Sequence, residues 1–253
     1  MITTTGTRAE ARKSLAGKWG KGALITLCYS IVEGVMSFIQ NIGQNSNNNT
    51  LQIVLSILVL IISVPLSYGL LVSFMKLKRD EEVNTFDFLT IGFSNFSRAW
   101  LVSLNVLVKM LLPAGLIVLS MILVGVFAAL AAGTSNTVFL VLMIFSIISC
   151  VVGYIWAIVR SFSLFLANYI AYDEPNLSAY ECCKKSMEKM KGNRGNYFTL
   201  TLSFIGWAFL SVLTLGIGFF WLLPYVNVSY VCFYEEIVGR KEENKEEAKV
   251  IEE

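Results

Sequence analysis

Long apolar stretches separated by short polar segments dominate the chain. A membrane-crossing helix needs ~20 apolar residues, because each residue rises ~1.5 Å and the hydrocarbon layer is ~30 Å thick. The pattern therefore predicts an all-α, polytopic membrane helical bundle that forms a single domain over residues 1–239. We predict six transmembrane helices, at residues 22–40, 51–75, 110–131, 137–159, 197–213 and 219–234, followed by a charged cytoplasmic tail at 240–253.

The last two crossings are inferred from one uncharged run. It extends from Asn196 to Tyr234, and its 39 residues are about twice the length that one crossing needs. Gly216 and Gly218 lie near its middle, and glycine adopts the backbone conformations that a chain reversal requires. The run therefore predicts a hairpin whose turn lies on the outer side.

The basic residues predict the orientation. Of the 20 lysines and arginines, 19 precede the first predicted span, lie between spans two and three or spans four and five, or follow span six. The predicted outer loops at 41–50, 132–136 and 216–218 contain none. Because cytoplasmic segments are enriched in lysine and arginine, both termini are predicted to be cytoplasmic.

Short amphipathic helices are predicted on the cytoplasmic side. The first covers 95–109, because the apolar region up to Ala131 is too long for one untilted span. Lys109, the twentieth basic residue, could reach the lipid headgroups from the end of this helix, and Pro113 fits a bend where the chain enters the bilayer.

The second amphipathic helix begins with a capping-box pattern at Ser178 and Glu181. Its basic residues could contact anionic lipids of the inner leaflet. An equal alternative is a cytosolic helix that packs against its own bundle and leaves its lysines in water. The candidate lipid contacts are Lys184, Lys185, Lys189, Lys191 and Arg194.

A candidate intramembrane polar site comprises Glu33, Tyr225, Asn227 and Tyr230. Glu33 lies within the first span, where a charge costs at least ~2.5–3.5 kcal/mol, so it should be protonated, paired or directed to a polar interior. The other three occur in the sixth span. A site for a proton or cation is one interpretation, and ordinary hydrogen bonds that hold the helices together are the favoured one.

The composition argues against several kinds of catalytic and metal-binding site. Histidine is absent, and the five cysteines lack the spacing of a metal site or disulfide framework, so we interpret them as small buried residues. The motifs of nucleotide-binding loops, serine hydrolases and zinc proteases are also absent. We therefore expect no enzyme and no cofactor, and the net charge of +2 indicates no nucleic-acid partner.

Several short motifs resemble a family of bacterial integral membrane proteins known as domain of unknown function 975. They include Tyr172-Asp-Glu-Pro175, Leu202-Ser-Phe-Ile-Gly-Trp207, Leu213-Thr-Leu-Gly-Ile-Gly218 and Phe233-Tyr-Glu235, and the similarity covers most of the chain. The resemblance implies a polytopic helical bundle in a bacterial cell membrane. It supplies no activity and no catalytic residue.

The sequence thus favours a non-enzymatic multi-pass membrane protein that acts as an envelope scaffold or regulatory partner. Its expected partners are the bilayer with anionic inner-leaflet lipids and a protein, which could be a second copy of the chain. The alternative is a small transporter or lipid-handling protein that uses the polar site around Glu33 and span six.

Overall fold

The computed structural model describes residues 3–46, 48–134 and 136–239, and these ranges contain eleven α-helices and no strand. The predicted tail at 240–253 lies outside them. The helices are α1 (Thr4–Ser14), α2 (Trp19–Asn45), α3 (Asn49–Lys78), α4 (Asp87–Ser94), α5 (Phe96–Thr134), α6 (Thr137–Leu164), α7 (Ala167–Asp173), α8 (Ala179–Lys189), α9 (Arg194–Leu202), α10 (Ile205–Leu213) and α11 (Phe219–Val238).

Within the described part of the chain, five helical segments are long and apolar enough to cross a membrane. They are Trp19–Asn45, Asn49–Lys78, Phe96–Thr134, Thr137–Asp173 and Arg194–Leu213. Helix α11 falls outside this set, because tyrosine, asparagine, serine and two glutamates interrupt its apolar sequence. The all-helical fold is therefore confirmed, with five candidate membrane helices, whereas the predicted number of six crossings is not.

The predicted surface helix at 95–109 is not a separate element. It forms the first part of α5, which continues through Pro113 for 39 residues. A proline removes one backbone hydrogen-bond donor. Its neighbours are strong helix formers such as Leu111, Leu112 and Ala114, and the helix persists through it. Lys109 lies over the ring of Tyr180 in α8, with its ammonium nitrogen 4.5 Å from the ring centroid.

The buried side chains gather at one end of the molecule. We call this end the helical core; it consists of α1, α4, α7, α8, α11, the last half of α3 and the start of α5. Fully buried side chains there include Leu15, Phe74, Phe88, Ile170, Met190 and Tyr234. The core therefore contains most of the fully buried side chains of the described residues.

Two helical hairpins extend from this core. Helices α2 and α3 form the first, and α5 and α6 form the second. Their distant halves expose large apolar side chains, including Phe38, Leu112 and Phe145, which are 68%, 70% and 65% exposed. Helices satisfy their own backbone hydrogen bonds, so such surfaces are suited to contact with lipid or with other membrane helices.

The closest helix contact in the core joins α3 to α4 through two glycines. A Cβ atom added to Gly69 would lie 2.0 Å from the carbonyl oxygen of Phe88. One added to Gly92 would lie 2.3 Å from the carbonyl oxygen of Pro65. Only a residue without a side chain allows the two backbones to approach this closely, so these glycines fix how α4 sits on α3.

The predicted turn near Gly216 and Gly218 is confirmed. Leu215 and Gly216 have φ angles of +54° and +89°, which reverse the chain between α10 and α11. Gly218 has an ordinary φ of −58°, and its role is different. A Cβ atom there would lie 2.7 Å from the hydroxyl oxygen of Ser211, so this glycine permits close approach rather than an unusual backbone conformation.

We predict that Gly69→Ala and Gly92→Ala each destabilise the protein by about 1–3 kcal/mol, the usual cost of overpacking. The measurement is the thermal unfolding midpoint in mild detergent, followed by tryptophan fluorescence. Gly125→Ala is the matched control, because it also lies in a helix and an added Cβ would meet nothing within 4 Å. Equal midpoints for all three variants would show that the α3–α4 contact tolerates a side chain.

Candidate functional site

A buried cluster of charged side chains joins three helix ends in the core. Arg79, just after α3, donates two hydrogen bonds to the carboxylate of Asp173 in α7, at 2.8 and 2.9 Å. Its Nε donates a third bond to Glu235 in α11, at 3.0 Å. Lys78 also pairs with Glu235, and the hydroxyl of Tyr234 donates to Asp173 at 2.8 Å. We call these five residues the ionic junction.

Charge balance and burial define what the ionic junction does. Two cations face two carboxylates, and all four side chains are at most 15% exposed. Burial alone would lower the pKa of the Arg79 guanidinium. Hydrogen bonds from Asp173 and Glu235 and the attraction of their charges outweigh that effect, so the pKa of Arg79 is raised. The arginine is therefore a permanent cation that holds two helices to the end of α3.

A second arginine binds backbone rather than carboxylate. Arg98, near the start of α5, donates hydrogen bonds to the carbonyl oxygens of Ala171, Glu174 and Leu177, at 2.7, 2.8 and 3.0 Å. These carbonyls belong to the end of α7 and the loop that follows, which otherwise lack helical partners. Arg98 thus fixes the path of the chain from α7 to α8.

The residues predicted to form an intramembrane polar site do not converge. Glu33 lies one turn after Tyr29 in the same helix, and the two side chains are near enough to interact electrostatically. Asn227 donates to the carbonyl oxygen of Leu223 in its own helix, at 2.9 Å. Glu33 is in α2 and Asn227 in α11, and each interacts within its own helix.

The two tyrosines of the predicted site have other partners. Tyr225 accepts a hydrogen bond from Nε of Arg8 in α1, at 3.1 Å. The hydroxyl of Tyr230 lies 3.4 Å from that of Thr201 in α9. Tyr230 also packs edge-on against Phe165, with centroids 5.1 Å apart. Both side chains therefore join helices within the core.

Helix α8 begins with the predicted capping box. The Ser178 side chain accepts from the Glu181 amide, and the Glu181 carboxylate accepts from the Ser178 amide. These hydrogen bonds lower the pKa of Glu181, which agrees with a carboxylate that caps the helix. Cys182, Cys183 and Met190 are fully buried, so the apolar face of α8 packs against its own protein.

The predicted lipid-contacting residues have different environments. Lys185 forms an ion pair with Glu174, at 2.6 Å. Lys184 and Lys191 are exposed, whereas Lys189 and Arg194 are half-buried. Nε of Arg194 is buried without a partner among the described residues.

The amino-terminal helix packs against the last hairpin. Besides its bond to Tyr225, the Arg8 guanidinium lies 5.3 Å from the centroid of the Phe204 ring. One turn later, Arg12 lines a pocket of about 400 Å³ together with residues of α10, of α11 and of the turn between them. We call it the α1 pocket; its other lining residues are Trp19, Trp207, Leu210, Ser211, Thr214, Gly218, Trp221, Leu222 and Tyr225.

The α1 pocket brings the turn of the last hairpin close to α1. Arg12 precedes α2 by a few residues, and it shares the pocket with Thr214 and Gly218 at the hairpin turn. The side of the membrane on which this turn lies stays a prediction.

Sequence reasoning missed the ionic junction. In the sequence, Asp173 and Glu235 stand out only as members of the family motifs Tyr172-Asp-Glu-Pro175 and Phe233-Tyr-Glu235. Their pairing with Arg79 joins residues 94 and 156 positions apart along the chain. One signal was available in the sequence. Asp173 and Glu235 both follow long apolar stretches, and an acidic residue in that position needs a basic partner from another part of the chain.

The fold defines a multi-pass helical protein with a polar core at one end. The chain belongs to the family described as protein of unknown function (DUF975), whose model matches residues 1–241. This confirms the resemblance inferred from the sequence motifs. Comparisons with curated proteins and with solved structures give no significant match.

We predict that Asp173→Asn lowers the free energy of unfolding by about 3–5 kcal/mol, because it leaves buried cations with one carboxylate instead of two. Asp80→Asn is the control: Asp80 pairs with Lys18, but its side chain is 79% exposed, so the loss should stay below about 1 kcal/mol. Denaturant unfolding in mild detergent measures both. Similar losses in the two variants would contradict a structural role for the ionic junction.

Proposed function

We propose that the protein is a non-enzymatic membrane scaffold, in which a helical core at the cytoplasmic face holds two apolar hairpins for a protein partner or a second copy. The observation that carries this proposal is the separation of the hairpins. In the described part of the chain, α2 packs mainly on α3 and α11, whereas α6 packs mainly on α5, α8 and α9. The hairpins touch where α3 meets α5, and the Trp100 indole donates there to the carbonyl oxygen of Ile61; beyond this contact they present separate apolar surfaces.

The dispersed polar residues favour a scaffold over a transporter. A transport site needs several polar groups directed to one place between membrane helices. Glu33 and Asn227 instead interact within their own helices, and Tyr225 and Tyr230 join α11 to α1 and α9. Local contacts account for the first two residues and contacts between helices for the two tyrosines, without transport.

We further infer that four helices cross the membrane, namely α2, α3, α5 and α6. The hairpin of α9, α10 and α11 would then enter only the inner leaflet. The α1 pocket supports this, because it brings the hairpin turn next to Arg12. Four crossings also leave both termini on the cytoplasmic side, in agreement with loops near Ser46 and Thr134 that contain no basic residue.

Cysteine labelling separates this topology from one with six crossings. In a variant without the five native cysteines, a membrane-impermeant maleimide added to intact cells should modify cysteine at position 46 or 134. It should not modify Leu215→Cys, although Leu215 is 95% exposed in the structure. Glu188→Cys should react only after permeabilisation. Labelling of position 215 from outside would show that the last hairpin crosses the membrane.

Site-specific photocrosslinking in living cells tests the scaffold. A photoreactive residue at Leu112 or Phe145 on the second hairpin should give a protein adduct of defined mass, either a second copy or another membrane protein. The same residue at Val102, which is fully buried, is the control and should give none. Lipid adducts alone at both hairpin positions would contradict the proposal.

A liposome assay addresses the transporter alternative directly. Purified protein is reconstituted, and the flux of protons, cations and small solutes is compared with that of the Glu33→Gln variant. The scaffold proposal expects the same low flux from both. Flux that depends on Glu33 would overturn it.

A further inference from the structure

The α1 pocket combines one cation with an otherwise apolar wall. Trp19, Trp207 and Trp221 supply most of its aromatic surface, and Leu210 and Leu222 extend the apolar wall. Among the residues that the structure describes, Arg12 is the only charged one that lines it. From this arrangement we propose that the α1 pocket binds an anionic phospholipid, with the phosphate on Arg12 and part of an acyl chain against the tryptophans.

The hydroxyl groups of the pocket wall are already engaged. The Ser211 hydroxyl donates to the carbonyl oxygen of Trp207, at 2.9 Å, and the Thr214 hydroxyl donates to that of Ser211, at 2.8 Å. Tyr225 accepts from Arg8. The wall is therefore suited to hydrocarbon rather than to a polar metabolite, which would need several unpaired donors and acceptors.

Arg12 is available for an anion. Arg8 and Arg12 lie one turn apart on the side of α1 that faces the hairpin, and Arg8 is occupied by the hydroxyl and ring of Tyr225 and by the ring of Phe204. Arg12 is exposed at the pocket, and within residues 3–46, 48–134 and 136–239 it forms no ion pair. A guanidinium binds a phosphate through paired hydrogen bonds, so phosphodiester is the matching ligand group.

The surroundings indicate the source of the ligand. The hairpin tip next to the pocket exposes Phe209, Val212, Leu213 and Ile217 at 59–66%, and Leu215 at 95%. Tryptophan is enriched where hydrocarbon meets the headgroups, and cytoplasmic leaflets carry anionic lipids. These exposed apolar side chains next to the pocket favour an amphiphile from the bilayer as the ligand. Free phosphate would use only Arg12.

Native mass spectrometry of the full chain in mild detergent tests the proposal. The protein is titrated with phosphatidylglycerol and with phosphatidylcholine that carries the same acyl chains. Phosphatidylglycerol should bind at one saturable site with at least about tenfold higher affinity, which corresponds to about 1.4 kcal/mol. Soluble glycerophosphate at millimolar concentration should not displace it, because it lacks the acyl chain.

Two substitutions at adjacent positions distinguish a site from general attraction. Arg12→Gln should weaken phosphatidylglycerol binding at least tenfold, and Arg12→Lys should retain most of it. Lys13→Gln removes the same charge from the next residue, which does not line the α1 pocket, and should leave binding unchanged. Equal losses for Arg12→Gln and Lys13→Gln, or no preference for phosphatidylglycerol, would overturn the proposal.

Tryptophan quenching locates the acyl chain. Phosphatidylglycerol brominated on its chains, added at stoichiometric amounts in detergent, should quench part of the protein fluorescence. Combined Trp19→Phe, Trp207→Phe and Trp221→Phe substitutions should remove most of the quenched component, whereas Trp156→Phe, at an exposed position on α6, should not. Quenching that persists in the triple variant, or displacement of the lipid by an acidic peptide of a copurified partner, would assign the pocket to a different ligand.

Discussion

The contact between Arg79 and the carboxylates of Asp173 and Glu235 is the interaction on which the core depends. Three segments that are distant along the chain meet there: the end of α3, the end of α7 and helix α11. A buried arginine requires carboxylates and hydrogen bonds on several sides, and each bidentate bond fixes an angle as well as a distance. Specific pairing of charges therefore sets positions that apolar packing alone would leave free to slide.

The ionic junction lies at the end of α3, and two glycine contacts lie earlier in the same helix, near Pro65. Gly69 and Gly92 let α4 lie directly on the α3 backbone, while Arg98 holds the end of α7 through its carbonyl oxygens. The last half of α3, from Pro65 to Lys78, thus contacts α4, α7 and α11. The earlier turns of the same helix contact α2 and, through the carbonyl oxygen of Ile61, Trp100 of α5, and they bury few side chains.

Features encoded by nearby residues could be predicted from the sequence. The spans of α2, α3 and α6, the capping box at Ser178 and the turn at Gly216 each depend on residues within one or two helical turns. The ionic junction and the α1 pocket depend on residues that are distant along the chain, so no local pattern reveals them. The unbroken α5 was missed for another reason: the sequence placed a bend at Pro113, but the helical preference of its neighbours outweighs the loss of one hydrogen bond.

Hydrophobic length alone cannot tell a helix that crosses the membrane from one that only lies in it. The uncharged run after Asn196 is long enough for two crossings, yet α1 packs along it and brings Arg12 to the hairpin turn. The polar side chains of α11 have partners inside the protein: Tyr225 accepts from Arg8 in α1, Ser229 donates to the backbone of its own helix, and Tyr234 donates to Asp173 in α7. The apolar side of α10 is then left for the bilayer. The same run of residues is thus compatible with a hairpin that has one face in the core and the other in a single leaflet. Four crossings agree with the distribution of basic residues as well as six do.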